Sequence, residues 1–275
     1  MSPRTILAAL LALAGILSAA GRYTWLGADG KPVPFKTPAQ VVDFLRTSQV
    51  VSSMELPDGI NQPIKLLLHE DGIRMHGIFR EVRKVKVRHL RISGRRLELR
   101  DDFIFECAAY QTARLLGLDN VPPVVERVID GRPGSLQLWI EKARTVGQDS
   151  TPGRKATLEK RLLEQHQAMW VFDNLIYNDD RNKGNVLIGA DGKLWMIDHT
   201  QAFRTFEELP YPSLVTRCSR SLYQRLKELD ASQVSQALTP FLEENELEAL
   251  LTRRDLLVEH IETLIVENGE SSVLH

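Results

Sequence analysis

The sequence has 275 residues, of which 43% are hydrophobic and 26% are charged, and its formal net charge is −1. This composition is that of an ordinary globular protein, and the length suits one two-lobed domain or two small ones. A nearly neutral chain gives no support for nucleic acid as the main partner.

An apolar segment at the N-terminus stands apart from the rest of the chain. Arg4 supplies a positive charge, residues 6–17 are apolar, and residues 18–20 are small, as at a cleavage site. We interpret residues 1–20 as a signal peptide, or as an uncleaved anchor that would associate the protein with a membrane. Both alternatives predict an exported protein. A buried N-terminal helix is the third alternative, which the apolar character on every face disfavours.

A helix and three strands are predicted next. Thr37-Pro38 with Gln40 is the pattern of a capping box at the start of a helix. The apolar residues that follow alternate as in strands, and Gly59 marks a turn between the first two of them. The predicted strands cover residues 50–54, 64–68 and 73–79.

Residues 80–100 are strongly basic, with nine Lys or Arg residues interleaved with apolar ones. This pattern predicts a strand or hairpin with a solvated charged face. The alternative is a docking strip for an acidic or phosphorylated partner, or for an anionic surface. The tract contains no aromatic residue, which argues against stacking on single-stranded nucleic acid.

A second helix and two strands complete the first half of the chain. Asp101 or Asp102 can cap a helix from about Phe103 to Leu116, and Gly117 can end it. The polar, Gly- and Pro-containing composition that follows the strands indicates a linker. The strands are predicted at 124–128 and 136–140, and the linker at 142–155.

The most informative stretch runs from residue 170 to residue 199. An apolar helix ends at Tyr177, and a polar loop then leads to Asn185. Two short hydrophobic strands joined by an Asp191-Gly192 turn follow, so the pattern predicts a hairpin that ends at Asp198.

Three side chains with oxygen atoms, those of Asp180, Asn185 and Asp198, would come close together near one end of this hairpin. Asn and Asp are common in turns, so Asp180 and Asn185 alone would not indicate a function. Asp198, however, follows three apolar residues of a buried strand, where an unpaired carboxylate is costly and usually has a partner or a metal. Phosphoryl transfer needs such a set: one carboxylate to orient a hydroxyl, and oxygen ligands for divalent cations.

Two separated motifs carry a resemblance to a known family. The loop from Asp180 to Asn185, followed by Ile197-Asp198-His199, resembles the catalytic and metal-binding loops of atypical protein-kinase-like enzymes. The closest resemblance is to the secretory-pathway (Golgi casein kinase-like) kinases and their bacterial relatives, and phosphatidylinositol kinases are more distant. The run Glu106-Cys107-Ala108-Ala109-Tyr110 is similar to the Glu-x-Ala-Ala-Phe helix of that family. The resemblance extends from about Asp43 to Phe203.

The resemblance implies an α+β, two-lobed protein-kinase-like fold. Residues 21–143 would form a small, nucleotide-binding lobe of antiparallel strands with one key helix. Residues 144–275 would form a larger, mainly helical lobe that carries the catalytic hairpin. The turn at Gly59 would then be the loop that covers the nucleotide, and the irregular segment at 205–214 would face the substrate.

The resemblance also implies an exported phosphotransferase that uses ATP or another nucleotide with Mg or Mn. The acceptor would be a hydroxyl group of a protein, a sugar or a lipid. Asp180 would be the catalytic residue, and Asn185 and Asp198 would bind the metal.

The remaining nucleotide-binding residues are also implied by resemblance. Arg80 stands where the family carries a lysine on the third strand, and Glu106 would pair with it. Glu141, at the junction of the lobes, would belong to the segment whose backbone meets an adenine. Because an arginine does not replace a lysine equivalently, two alternatives stay open. The protein would then be a pseudokinase-type nucleotide-binding scaffold that regulates a partner, or a kinase fold that transfers AMP.

The histidines and cysteines are assigned no catalytic role. His166 is expected to pack in the core, and His199 is not expected to be catalytic although it follows Asp198 directly. Cys107 and Cys218 could form one disulfide by count, but a packed free thiol at Cys107 is favoured. In the tail, Asp230 with Gln233 predicts a helix start, and a long amphipathic helix is predicted over 247–266.

Overall fold

The computed structural model of the protein describes residues 24–56, 63–89, 96–148 and 155–275. The predicted signal segment at 1–20 and the predicted turn at Gly59 lie outside these residues. Within the described part, no helix is both long enough and apolar enough to cross a bilayer.

The small lobe is built on a five-stranded antiparallel sheet. Its strands are β1 (Gln49–Glu55), β2 (Ile64–Glu70), β3 (Ile73–Arg80), β6 (Val124–Ile129) and β7 (Arg132–Leu138). They lie in the order β1-β2-β3-β7-β6. Ile78 pairs with both Lys65 and Gln137, so these three side chains lie on one face of the sheet. That face looks toward the large lobe, and the opposite face holds the small-lobe core.

Helix α1 (Pro38–Thr47) covers the outer face of this sheet. It begins with the predicted capping box, in which Thr37 Oγ1 accepts from Gln40 N and Gln40 Oε1 accepts from Thr37 N. Val41, Phe44 and Leu45 of the helix are buried against Leu66, Leu68 and Leu136 of the sheet. The first helix and the three strands predicted before residue 80 are therefore confirmed.

The basic tract contains a separate antiparallel ribbon. Strand β4 (Arg83–His89) pairs with strand β5 (Arg96–Asp102) over their full lengths. Val85 is 60% exposed, which agrees with the predicted hairpin with a solvated face. At the base of the ribbon, Arg100 Nη1 contacts Glu246 Oε1 at 2.8 Å.

Helix α2 (Ile104–Leu115) follows the ribbon directly. Its N-cap residue is Phe103, which makes no side-chain capping bond, so the predicted cap is displaced by one residue: Asp102 lies just before Phe103, and its Oδ1 accepts from the backbone N–H of Ile104 at 3.1 Å. The helix is buried on nearly all sides, and it packs on strands β6 and β7 of the small lobe as well as on the helices of the large lobe. Helix α2 therefore packs against both lobes.

The large lobe combines a small sheet with five helices within the described residues. The sheet order is β10-β9-β8, with β8 (Arg144–Thr145), β9 (Val186–Ile188) and β10 (Leu194–Met196). The helices are α3 (Lys155–Leu175), α4 (Arg220–Glu228), α5 (Ala231–Leu238), α6 (Glu244–Asn268) and α7 (Glu270–Val273). We propose that the lobes divide near residue 143, because Arg144 already pairs with Ile188 of β9.

The predictions for the tail and the cysteines are confirmed. Asp230 and Gln233 form a capping box at the start of α5, and α6 contains the predicted amphipathic stretch. Cys107 and Cys218 are both buried free thiols. Burial raises the pKa of the Cys218 thiol to about 12.

Candidate active site

A cleft of about 570 Å³ lies between the small-lobe sheet and the hairpin β9–β10. Ile78 and Arg80 of β3 form part of its roof. Trp139 and Ile140 line the side where the lobes join, and Asn185 and Asp198 form part of the floor. The cleft thus brings together residues that lie more than 100 positions apart in the sequence.

Asp198 lies just beyond β10, where the chain leaves the hairpin. Its backbone has φ +60°, a left-handed conformation that is uncommon for residues other than glycine and is typical of functional sites. Burial raises the pKa of the Asp198 carboxyl, and the negative charges of Glu106 and Asp180 raise it further against the opposing effect of Arg80. A divalent cation would favour the ionised form of this carboxylate.

Asn185 lies at the end of the polar loop, and its backbone oxygen accepts from the N–H of Ile197, the residue before Asp198, at 3.1 Å. Its Nδ2 donates to the backbone oxygen of Asp180 at 2.9 Å and lies 3.4 Å from Asp180 Oδ2. The amide oxygen of Asn185 is therefore the end turned away from Asp180. Asp180 itself is partly exposed beside the cleft. The predicted trio lies within one short hydrogen-bonded loop and the end of the adjacent hairpin.

Arg181 holds this loop in place. Its guanidinium makes two bonds to the carboxylate of Asp173 on α3, at 2.8 and 2.9 Å. It also donates to the backbone oxygens of Asn185 at 2.6 Å and Ile197 at 2.9 Å. Because a two-pronged Arg–carboxylate contact fixes both partners, the loop and the hairpin are fastened to α3.

The predicted pair of Arg80 and Glu106 is present. Arg80 Nη1 lies 3.5 Å from Glu106 Oε1, and the Glu106 side chain is fully buried. Burial would raise the pKa of Glu106, but the positive charge of Arg80 and the hydrogen bond from His199 lower it to about 2. Neither Arg80 Nη1 nor Glu106 Oε1 makes a hydrogen bond within the described part of the chain.

Glu141 is placed differently from the other predicted residues. Its carboxylate accepts from His76 Nδ1 at 2.6 Å, and it is not among the described residues that line the cleft. Its neighbours Trp139 and Ile140 do line the cleft. The side chain of Glu141 thus packs behind the junction, and a role for its backbone stays a prediction.

Sequence reasoning missed three residues that belong to the site. Arg181 lies in the loop that carries the resemblance, but its type and position indicate no role by themselves. His199, which is fully buried, hydrogen bonds to both Glu106 and Arg181. Gln137 lies buried on β7, 3.4 Å from Glu106 Oε2. A signal existed for Gln137, because it interrupts an apolar run at a position that faces the cleft.

Comparisons with solved structures find proteins of the same architecture. A hydra Fam20 protein, determined with a sugar, has a TM-score of 0.62 at 18% identity, over 94% of this chain and 98% of the other. The Golgi casein kinase with Mn and ADP bound has a TM-score of 0.62 at 16% identity, over 86% and 78% of the chains. The sequence matches no protein-family model and no curated protein.

At these identities the likeness establishes the fold. The chain has the two-lobed, α+β kinase-like fold that the sequence predicted, and the likeness covers nearly its whole described length. In this fold the cleft between the lobes is where a ligand of nucleotide size would be enclosed.

Proposed function

We propose that this protein is an exported phosphotransferase that moves a phosphoryl group from a nucleotide to a hydroxyl acceptor with a divalent metal. One observation carries the proposal: Arg80, Asn185 and Asp198 line the same cleft, and Asn185 is hydrogen bonded to Asp180. The kinase-like fold and the Mn and ADP bound to the similar Golgi casein kinase support it.

The donor atoms suit a hard divalent cation. The carboxylate of Asp198 and the amide oxygen of Asn185 are the ligand types that Mg²⁺ and Mn²⁺ accept. Within the described residues no three His, Cys, Asp or Glu side chains come together as a metal cage. The cation would therefore complete its coordination with nucleotide phosphates and water, as is usual for Mg²⁺.

Each of the other site residues has a defined task in this proposal. Arg80 would bind the nucleotide phosphates from the roof of the cleft, and Glu106 would orient Arg80. Asp180 would accept a hydrogen bond from the acceptor hydroxyl and align it for attack. The rate would come from positioning and from neutralisation of charge. The acceptor class is open among proteins, sugars and lipids; the structure of a similar hydra Fam20 protein was determined with a sugar.

The second candidate is a nucleotide-binding scaffold that regulates a partner. Arg80 in the lysine position and the absence of a direct hydrogen bond between Arg80 Nη1 and Glu106 Oε1 favour it. A transfer of AMP by the same cleft is a third candidate.

Metal-dependent nucleotide turnover separates these candidates. We expect the purified protein, with water as the acceptor in place of the unidentified hydroxyl, to hydrolyse ATP to ADP and phosphate with Mn²⁺ or Mg²⁺. Asp198→Asn should reduce this rate at least about 100-fold, the scale of one electrostatic group. Asn is chosen because it tolerates the left-handed backbone at this position. Asp191→Asn, at the exposed turn of the same hairpin, is the matched control and should retain the rate.

The products decide among the alternatives. Release of pyrophosphate in place of ADP would support AMP transfer. Metal-dependent binding without turnover would support the scaffold. No binding of any nucleotide would contradict both transferase candidates and would support a scaffold that works without nucleotide.

A further inference from the structure

His199 lies fully buried between the two lobes, directly after Asp198. Its ring packs edge-on against Phe172, with the centroids 5.9 Å apart. Nδ1 lies 3.1 Å from Glu106 Oε2 on α2, and Nε2 lies 3.1 Å from Arg181 Nη2 in the catalytic loop. One imidazole thus joins the small-lobe glutamate to the large-lobe loop.

The two partners determine where the ring carries its proton. A guanidinium has donors and no acceptor, so Nε2 of His199 must accept the hydrogen bond from Arg181. The ring proton is then on Nδ1 and is donated to the carboxylate of Glu106. The geometry therefore assigns the tautomer of the imidazole, in which Nδ1 donates and Nε2 accepts.

Arg181 is the fixed end of this connection. It is held by both carboxylate oxygens of Asp173 and by the backbone oxygens of Asn185 and Ile197. Its side chain is only 1% exposed. Four hydrogen bonds in a buried site restrict the guanidinium to one orientation. The N–H of Arg181 that His199 accepts from therefore has a fixed position.

The Glu106 carboxylate, at the other side of His199, is held less firmly than Arg181. It accepts two side-chain hydrogen bonds from the described residues, from His199 at 3.1 Å and from Gln137 at 3.4 Å. Its contact with Arg80 is longer still, at 3.5 Å. The bond from His199 is thus the shortest of the three side-chain contacts that orient the carboxylate.

We propose that His199 is a positioning residue that orients Glu106 and, through Glu106, sets the place of Arg80 over the nucleotide phosphates. The proposal rests on the proposed function of the cleft. It predicts that a residue without contact to the nucleotide controls affinity for the phosphates and leaves affinity for the nucleoside unchanged.

The test compares binding of two probes to the full-length protein by calorimetry, each with Mn²⁺. The probes are a non-hydrolysable ATP analogue and adenosine. His199→Phe keeps an aromatic ring but removes both hydrogen bonds. We expect it to weaken binding of the ATP analogue about tenfold, the effect of one hydrogen bond to a charged group, and to leave adenosine binding unchanged.

Two further variants separate positioning from stability. Asn can present an N–H donor close to the place of Nδ1, so His199→Asn should recover most of the affinity for the ATP analogue. Phe172→Leu loosens the packing around the His199 ring but keeps the hydrogen bonds of His199. Its affinity for the ATP analogue should therefore not decrease more than its affinity for adenosine.

The outcomes distinguish this inference from the proposed function. Absence of Mn-dependent binding by the wild-type protein would overturn both. Normal binding by the wild type that His199→Phe leaves unchanged, or weakens equally for both probes, would overturn the inference alone. If His199→Phe does not fold, His199→Asn must bind the ATP analogue more tightly than His199→Gln, and equal affinities would overturn the inference.

Discussion

Asp198 shows which part of a site a sequence can predict. A carboxylate at the end of an apolar strand needs a partner, and the order of residues around Asp198 is enough to make it a candidate. The left-handed backbone of Asp198 and its nearness to Glu106 come from tertiary contacts, and neither leaves a local pattern in the sequence.

His199 shows the opposite case. It follows a predicted metal ligand, yet its type and spacing gave no reason to assign it a role. Its two partners are Glu106, 93 positions earlier, and Arg181, 18 positions earlier. A hydrogen bond over such separations depends on how α2 packs on the large lobe, which no local periodicity encodes.

His166 on α3 should make the stability of the protein depend on pH. Burial lowers the pKa of His166 from its ordinary value of 6.5. The unfolded chain therefore takes up a proton before the folded protein does, and the free energy of unfolding should fall as the pH decreases below about 6.5. Urea unfolding measures the free energy of unfolding at pH 7.5 and at pH 5.5. The decrease between these two pH values should be smaller for His166→Gln than for the wild type.

A matched substitution tests whether burial is the cause. His69→Gln, on β2, also replaces a histidine and should leave the difference between the two pH values as in the wild type. An equal pH dependence in the wild type and His166→Gln would show that His166 does not contribute.

At the scale of elements, local patterns predicted most helices and strands because each carries its own signals. The capping boxes at Thr37 and Asp230 are each formed by residues three positions apart. The alternation of apolar and polar residues in β2 and β3 is likewise a pattern of near neighbours in the sequence. What these signals did not predict is the environment of α2, whose apolar faces pack on the large lobe.

The contact between β3 and β7 should control the position of Arg80. A Cβ atom at Gly134 would lie 2.4 Å from the backbone oxygen of Arg80 and 2.5 Å from the ring of Phe79. Gly134→Ala must therefore displace the end of β3. We expect a loss of about 1–3 kcal/mol in the free energy of unfolding, the usual effect of overpacking, and weaker binding of nucleotide triphosphates.

Gly147→Ala is the control for this change. The nearest atom to a Cβ there is 3.7 Å away, in the side chain of Lys183, so ordinary packing is retained. Both quantities should stay at the wild-type value in Gly147→Ala. A Gly134→Ala protein with unchanged stability and affinity would contradict the tight fit at β3.

At the scale of the whole molecule, the two lobes share their cores. Trp195 of β10 is fully buried in the small-lobe cluster, with its ring centroid 6.3 Å from that of Trp25. Asp102 N, at the end of the ribbon, also donates to Thr200 O beyond the hairpin at 2.9 Å. None of these four residues is among the described residues that line the cleft.

Trp25 should therefore stabilise the lobes together. Trp25→Ala removes a large buried side chain and should lower the free energy of unfolding by about 3–5 kcal/mol. Circular dichroism during urea unfolding measures this loss. Trp25→Phe keeps an aromatic contact with Trp195 and should lose less. A decrease of less than about 1 kcal/mol in the free energy of unfolding of Trp25→Ala would show that the contact between Trp25 and Trp195 contributes little to stability.

The architecture could be predicted from the sequence because the loop from Asp180 to Asn185, the hairpin and the Glu106 helix are compact motifs in a fixed order. The connections between them could not. Arg181 reaches Asp173 and Ile197, and Trp195 reaches Trp25, by contacts that exist only after the lobes have packed. The prediction therefore named the metal-binding candidates and missed the residues that hold them.

Arg80 has a consequence for chemical labelling. A guanidinium stays protonated at every physiological pH and is not an effective nucleophile toward acylating reagents, whereas a lysine amine is one. A nucleotide analogue that carries an acyl phosphate would acylate a lysine amine held beside its phosphates. At residue 80 of this protein such a reagent would find no amine to modify, so surveys based on that reaction would miss the cleft at this position.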